Sequence, residues 1–256
     1  MAKIFCIANQ KGGVGKTTTA VNLAAGLKAH HQRVLLVDLD PQGNATMGSG
    51  IDKHQLDQSI YQVLIGHSDV ENSKIRSESG GYDVIPANRN LAGAEIELVD
   101  FEGRETILRR ALEKSKENYD FILIDCPPAL SLLTLNGLCA ADGVIVPMQC
   151  EYFALEGLSD LVNSIKQVHA NLNPHLTIIG LLRVMFDART ALQQQVSEQL
   201  IQHFGDKVFK TIIPRNVRLA EAPSYGMPGV FFDKNSKGAQ AYVEFGAEMV
   251  ERIKSM

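Results

Sequence analysis

The apolar residues of this chain fall in short, nearly continuous runs separated by longer amphipathic stretches. The runs are IFCIAN (4–9), RVLLVDL (33–39), YDVIPA (82–87), DFILIDC (120–126), GVIVPM (143–148), LTIIGLLRVMF (176–186) and VFKTIIP (208–214). They are rich in β-branched and aromatic residues and do not alternate with polar ones, which predicts strands buried on both faces. Helical patterning fills the intervals near 16–30, 103–118, 131–140, 155–171, 191–204 and 238–254. Strand followed by helix, repeated, predicts an α/β fold with a twisted, mainly parallel sheet covered by helices on both faces. Residues 66–81 (GHSDVENSKIRSESGG) are polar and read as a surface excursion. No linker, low-complexity tract or repeat interrupts the pattern, so residues 1–256 are expected to form one domain.

Composition narrows this picture only slightly. The chain is 45% hydrophobic and 21% charged, ordinary values for a globular protein, with a formal charge of −4. Any surface for nucleic acid must therefore be local. Cys6, Cys126, Cys139 and Cys150 form no C-x-x-C pair and suggest buried free thiols in a reducing cytosol. MAKIFCIAN has no long apolar segment and runs straight into a glycine-rich loop, so it reads as a first strand and not a signal peptide. No apolar run approaches the roughly 18 residues of a membrane span. His30 and His31 are helix neighbours that do not share a face, and read as surface residues.

The chemistry is concentrated in QKGGVGKTTT, residues 10–19. A phosphate-binding loop needs glycines that let backbone N–H groups approach phosphate oxygens, a lysine that bridges them, and a hydroxyl for Mg²⁺. Gly12, Gly13, Gly15, Lys16 and Thr17 meet those needs between a strand and a helix, with Val14 and Thr18 completing the loop. The pattern G-x-x-x-x-G-K-[ST] fails only at its first position, where Gln10 stands, and a second lysine, Lys11, follows it. Strand 121–125 ends in Asp125, placed as a carboxylate that reaches Mg²⁺ through water, and LLVDLDPQGN brings Asp38 and Asp40 to the end of another strand. Ligands of open α/β sheets bind outside the carboxyl ends of the strands, so three acidic groups should meet in one crevice.

KGGVGKTT with its extra lysine, VDLDPQGN and IDCPP together resemble the deviant Walker A ATPases, specifically the ParA/Soj group that partitions chromosomes and plasmids. CEYFALEGL (150–158), MFDART (185–190) and IPRNVRLAEAPS (213–224) extend the resemblance over essentially the whole chain. It implies ATP and Mg²⁺ as cofactors and an ATP-sandwiched homodimer. Lys11 would reach the partner's phosphates, Gly12 would lie at the dimer face, and Glu151 would either face the neighbouring nucleotide or cap the adjacent helix. Asp40 corresponds to the acid that handles the attacking water and Asp38 to the one that orients the water ligands of Mg²⁺, or the two roles are exchanged, with Lys16 also catalytic. Thr17, Asp38 and Asp125 belong to the metal site, and Pro214 and Asn216 to the adenine site. With nine residues before the loop, the form resembled lacks an N-terminal helix-turn-helix domain.

The same resemblance implies non-specific binding of double-stranded DNA through Arg189 and Arg218, nucleoid association in the cytoplasm, and release when a ParB-type partner stimulates hydrolysis. Positive charge between 183 and 218 also includes Arg183, Lys207, Lys210 and Arg215. Arg183 is read either as part of that patch or as the partner of Asp187. A MinD-like, membrane-switching relative is the alternative. It calls for a basic amphipathic helix at the end of the chain, whereas AQAYVEFGAEMVERIKSM carries Glu244, Glu248 and Glu251 and reads as packed on the domain. An iron–sulfur reductase relative would need cysteines placed to share a cluster.

Overall fold

A computed structural model describes residues 1–254. The strands are β1 (Lys3–Ile7), β2 (Val34–Asp38), β3 (Ile75–Ser77), β4 (Tyr82–Ile85), β5 (Phe121–Asp125), β6 (Gly143–Met148), β7 (Thr177–Phe186) and β8 (Val208–Pro214). They form one sheet in the order β3-β4-β2-β5-β1-β6-β7-β8. Every pairing is parallel except β3 with β4. Within β1, Ile4 and Cys6 enter the core on one face while Phe5 and Ile7 enter the core on the other. Both faces of a central strand are thus apolar, which is why its sequence does not alternate.

One face is covered mainly by the helices Leu132–Ala140, Ala154–Asn171 and Ala191–Phe204. The other is covered by the helices Lys16–Ala29 and Lys237–Lys254, which pack on each other. Their crossing is set by two glycines. A Cβ on Gly26 would lie 2.4 Å from the Tyr242 carbonyl oxygen, and one on Gly246 would lie 2.7 Å from the Gly26 carbonyl carbon. Beside this contact the buried hydroxyls of Thr19 and Tyr242 share a hydrogen bond of 3.0 Å. The last helix therefore spends its apolar face, including Ala241, Tyr242, Phe245 and Met249, inside the protein, as its sequence suggested. No helix among the described residues is long and apolar enough to cross a membrane.

Two expectations need correction. Segment 66–81 is not merely an excursion: it holds a helical turn, Val70–Ser73, capped by Asp69, and the antiparallel edge strand β3. Ser77 is buried because its hydroxyl donates to the Ser49 carbonyl at 2.6 Å. Segment 103–118 is not one helix. A single α-helical stretch, Ile107–Leu112, lies between two 3₁₀ segments.

Candidate nucleotide-binding site

The glycine loop joins β1 to the helix Lys16–Ala29. Gly13 (φ 72°) and Gly15 (φ 78°) both adopt the left-handed conformation, open at little cost only to glycine, in which successive N–H groups can line an anion-binding concavity. Val14 is buried and anchors the loop from below. Lys16 is buried, and its ammonium donates to the Lys11 carbonyl at 2.9 Å, closing the loop on itself. Burial lowers its pKa, while the carboxylates of Asp125 and Asp40 pull it back up. Thr17 donates its hydroxyl to Asp125 Oδ2 at 2.7 Å, and the Thr18 carbonyl accepts from the Asn22 amide at 2.9 Å as the helix begins.

Asp38 and Asp125 are direct neighbours across β2 and β5. Both are buried, and desolvation raises both pKa values; the charge of Asp38 raises Asp125 further against the Thr17 hydrogen bond, while at Asp38 the hydrogen bonds moderate the rise and Asp40 adds a smaller repulsion. Asp38 accepts from the backbone N–H and hydroxyl of Thr46 and from the N–H of Asp40. It thereby fixes the 40–46 loop that carries Asp40, which is half-buried. Asp125 differs: its Oδ1 is buried without any partner. An orphaned carboxylate oxygen beside a threonine hydroxyl and a buried ammonium fits a hydrated divalent cation riding on a polyphosphate. Mg²⁺ is held mostly by water and substrate phosphate with one or two carboxylates. The site accordingly needs no cage of three His, Cys, Asp or Glu side chains, and none exists among the described residues.

Two further residues join this crevice. Gln149, just past β6, donates its amide to the Gly13 carbonyl at 3.1 Å and to Met185 Sδ at 3.0 Å. Met185 holds φ at 51°, an unusual backbone for an unbranched apolar residue, and its Cε would be 3.4 Å from a Cβ on Gly15. Both sit at carboxyl ends of strands, the position where such sheets bind ligands, and that rule could have found them in the sequence.

At the outer edge of the loop the Lys11 ammonium is paired with Glu151 at 2.5 Å. Glu151 does not cap the helix Ala154–Asn171, whose first turn has no side-chain cap. Gly12 has open space where a Cβ would be, so nothing within the protomer requires glycine there. Pro214 ends β8 opposite Phe186 and lines a cavity of about 720 Å³ with Phe186, Asp187 and Arg189. Asn216 caps the short helix Val217–Glu221, its Oδ1 accepting from the Leu219 N–H at 3.3 Å, which leaves its NH₂ unused by the cap.

Comparison with known proteins settles the lineage. A family model described as an AAA domain matches residues 2–178. The sporulation initiation inhibitor protein Soj of Bacillus subtilis is 55% identical over 97% of this chain and 98% of its own length. The chromosome partitioning protein ParA of Caulobacter vibrioides is 49% identical over 98% of this chain and 94% of its own. This chain belongs to the ParA/Soj family. Among solved structures, a Mycobacterium smegmatis chain described as cobyrinic acid a,c-diamide synthase with bound ADP and magnesium is 40% identical to this ParA/Soj relative. It superposes with a TM-score of 0.87 and covers 100% of this chain and 96% of its own.

Within this ParA/Soj chain the basic residues of 183–218 do not form one patch. Arg183 is buried and makes no pair with Asp187. It donates to the Ser197 hydroxyl and to the carbonyls of Phe209 and Lys210, with its Nε left unpartnered. Lys207 and Lys210 line a separate cavity with Asp206 and Glu248, away from the carboxyl end of β8. Arg189 is exposed and gripped by Asp187 at 2.8 Å. Arg218 is exposed and paired with Glu221 at 2.9 Å and Asp233 at 3.3 Å. All four cysteines are buried, Cys6 and Cys126 in contact at 3.7 Å, so none presents a thiolate at the surface for a shared cluster.

Proposed function

We propose that this ParA/Soj chain is an ATP-driven switch whose nucleotide-sandwiched dimer binds duplex DNA non-specifically. In this reading it serves chromosome or plasmid segregation on the nucleoid in the cytoplasm, and a ParB-type partner releases it by stimulating hydrolysis. It is an ATPase, and its crevice fits ATP and Mg²⁺. The observation that carries the reading is the Thr17–Asp125 pair with its orphaned Oδ1, beside Lys16 and below the left-handed glycines. When bound, Mg²⁺ neutralises charge on the phosphates and orients water. Thr17 would hold the ion, and Asp125, with Asp38 next to it, would orient its water ligands. Lys16 leaves the Lys11 carbonyl for phosphate oxygens. Asp40, whose N–H is held by Asp38, would position the attacking water and accept its proton.

Dimerisation is supported by how the outer edge of the loop is built. Lys11 turns its ammonium to Glu151 and not to the loop, and Gly12 faces open space. A cation supplied across an interface offsets charge on the transferring phosphoryl group only when two nucleotide-loaded protomers meet. Arg189 and Arg218 are exposed enough to trade their carboxylate partners for phosphates. Two such contacts per protomer bind weakly, and pairing the protomers multiplies them through effective concentration. ATP would then govern DNA binding from a distance. The test is binding of arbitrary-sequence duplex across a salt series with ATP or ADP, for the native chain and for Arg189→Glu with Arg218→Glu. Binding confined to ATP, steeply weakened by salt and lost in the double variant is expected. ATP-dependent dimers that ignore DNA but bind anionic liposomes would replace this reading with the membrane-associated one.

A further inference from the structure

At the surface Arg33, Arg76, Arg189 and Arg218 are each held by a carboxylate, but Arg89 is not. It lines a cavity of about 480 Å³ between the turn after Asp40, the segment 53–56 and the turn after β4. Gln42, Lys53, His54, Asn88 and Asn90 share the lining, with Pro41 and Leu56 as its apolar surface, and no carboxylate reaches it. Four other cavities of similar size all have acidic walls: Asp206 and Glu248 in one, Asp187 and Glu244 in another, Asp52 and Glu78 in a third, and Glu244 in the fourth.

The donors of this cavity are also unspent. Among the described residues the Arg89 guanidinium, the His54 ring and the side-chain amides of Gln42 and Asn90 have no partner. Asn88 accepts the Asn90 N–H through Oδ1 at 3.0 Å, which leaves its NH₂ free. Lys53 gives one proton of its ammonium to the Gln42 carbonyl. The neighbouring acids are turned to the main chain, Asp40 accepting from the Gln42 N–H and Asp52 from the His54 N–H, both at 2.9 Å. Asp57 is exposed and outside the lining.

The walls are held without these donors. Thr46 donates its hydroxyl to Asp38 and accepts from the Ala87 N–H at 2.9 Å. A Cβ on Gly43, at φ 62°, would lie 2.5 Å from the Ala87 carbonyl oxygen, so the two turns meet backbone to backbone. A concave set of free donors, two of them on charged side chains, with no carboxylate to neutralise it, selects an anion. A guanidinium fork beside an ammonium and several amides suits phosphate oxygens in particular.

We propose that this cavity is a second phosphate site, separate from the nucleotide crevice, for inorganic phosphate or the phosphate group of a small molecule. Arg89 supplies the fork and Lys53 the point charge. Lys53 holds the Gln42 carbonyl and the Gln42 N–H holds Asp40, so an anion that draws on Lys53 bears on the turn carrying Asp40. That link to hydrolysis rests on the role proposed for Asp40, whereas binding at the cavity does not.

The test uses the full chain with its crevice saturated by ADP and Mg²⁺. Orthophosphate and ribose 5-phosphate are titrated by calorimetry, and amide exchange locates the contact. The variants are Arg89→Glu and Lys53→Gln, with Lys207→Glu and Lys210→Glu together as a control. Arg89 is exposed, so its variant keeps the test valid if Lys53→Gln fails to fold. The expected result is binding that protects about residues 41–43, 53–56 and 88–90, is weakened about tenfold or more by either variant, and is unchanged in the control. Binding of orthophosphate that slows ATP turnover in the native chain but not in Arg89→Glu would identify the ligand as released product. Binding of ribose 5-phosphate alone would identify a separate phosphorylated molecule. No binding of either anion, equal binding by Arg89→Glu, or protection confined to residues 12–18 would overturn the assignment. If neither anion binds and Arg89→Glu loses duplex DNA, the residues belong to a nucleic-acid contact instead.

Discussion

The phosphate crevice and the arginine face treat charge in opposite ways. In the crevice, Asp38, Asp125 and Lys16 are buried, and desolvation works against each one's charged form. On the face, Arg189 and Arg218 sit in water with carboxylates already in hand. Buried charge is costly without a partner and strong with one, whereas exposed pairs are screened and exchange easily. A permanent site for a charged nucleotide suits the first arrangement. Reversible contact with a polyanion suits the second, because swapping Asp187 for a phosphate changes little in net free energy.

The largest effect expected from that contrast is at Asp125. Asp125→Asn removes the like-charge repulsion with Asp38, and the raised carboxylate pKa gives the sign. A buried acid whose folded pKa lies above its unfolded value destabilises the nucleotide-free protein as pH rises through the folded pKa. The variant should melt about 2–4 °C higher at neutral pH, with the gain vanishing in acid, while ATP turnover falls by roughly 10²-fold or more. A lower melting point would mean that the two carboxylates do not repel in the absence of metal.

Asp40→Ala should cost roughly 10²–10⁴ in turnover, the range for a lost general base. ATP binding and nucleotide-dependent dimerisation should persist, as equilibrium binding and light scattering would register. Near-native turnover would move the base elsewhere. Arg183→Ala comes next. It strands the Ser197 hydroxyl and the Phe209 and Lys210 carbonyls in the interior, and a loss of about 2–4 kcal/mol in denaturant unfolding is expected. The ratio of DNA binding with ATP to binding with ADP should be unchanged in the folded variant. The smallest effect belongs to Asp187→Asn. It frees Arg189 from a carboxylate that the guanidinium holds down to about 2. Its melting point should match the native protein's, and DNA should bind a few-fold tighter at low salt. Weaker binding would show that Asp187 aims Arg189 and does not restrain it.

What could be read from the chain follows the same division. Glycines at left-handed positions, a lysine and threonine at a helix start, and acids at strand ends are dictated by local geometry, so the placement of Gly13, Gly15, Lys16, Thr17, Asp40 and Asp125, though not their roles, was legible for that reason. Arg183 was not. A guanidinium held by one serine hydroxyl and by main-chain carbonyls of β8 has no charged partner in the sequence to betray it, and its burial exists only after the strands pair. β3 was equally hidden, since Ser77 is interior through its hydroxyl, which donates to the Ser49 carbonyl and accepts from the Gly80 N–H, and not through hydrophobicity. Gln149 and Met185 stood at informative places, but an amide and a thioether do not announce ligand chemistry as an acid or a lysine does. The proposed pairing of roles across two protomers rests on the family resemblance, since no single chain's geometry contains it.

The glycine crossing between the helices Lys16–Ala29 and Lys237–Lys254 has a consequence for folding. The helix that carries the phosphate loop and the helix that seats against its backbone lie far apart in sequence, so bringing them together closes a long loop at an entropic cost. Until they meet, Gly26 has no carbonyl to press on and Thr19 has no phenol to meet. A glycine on each side lets the two backbones approach closely enough to offset that cost, and the loop's own helix gains its backing from a distant stretch of chain.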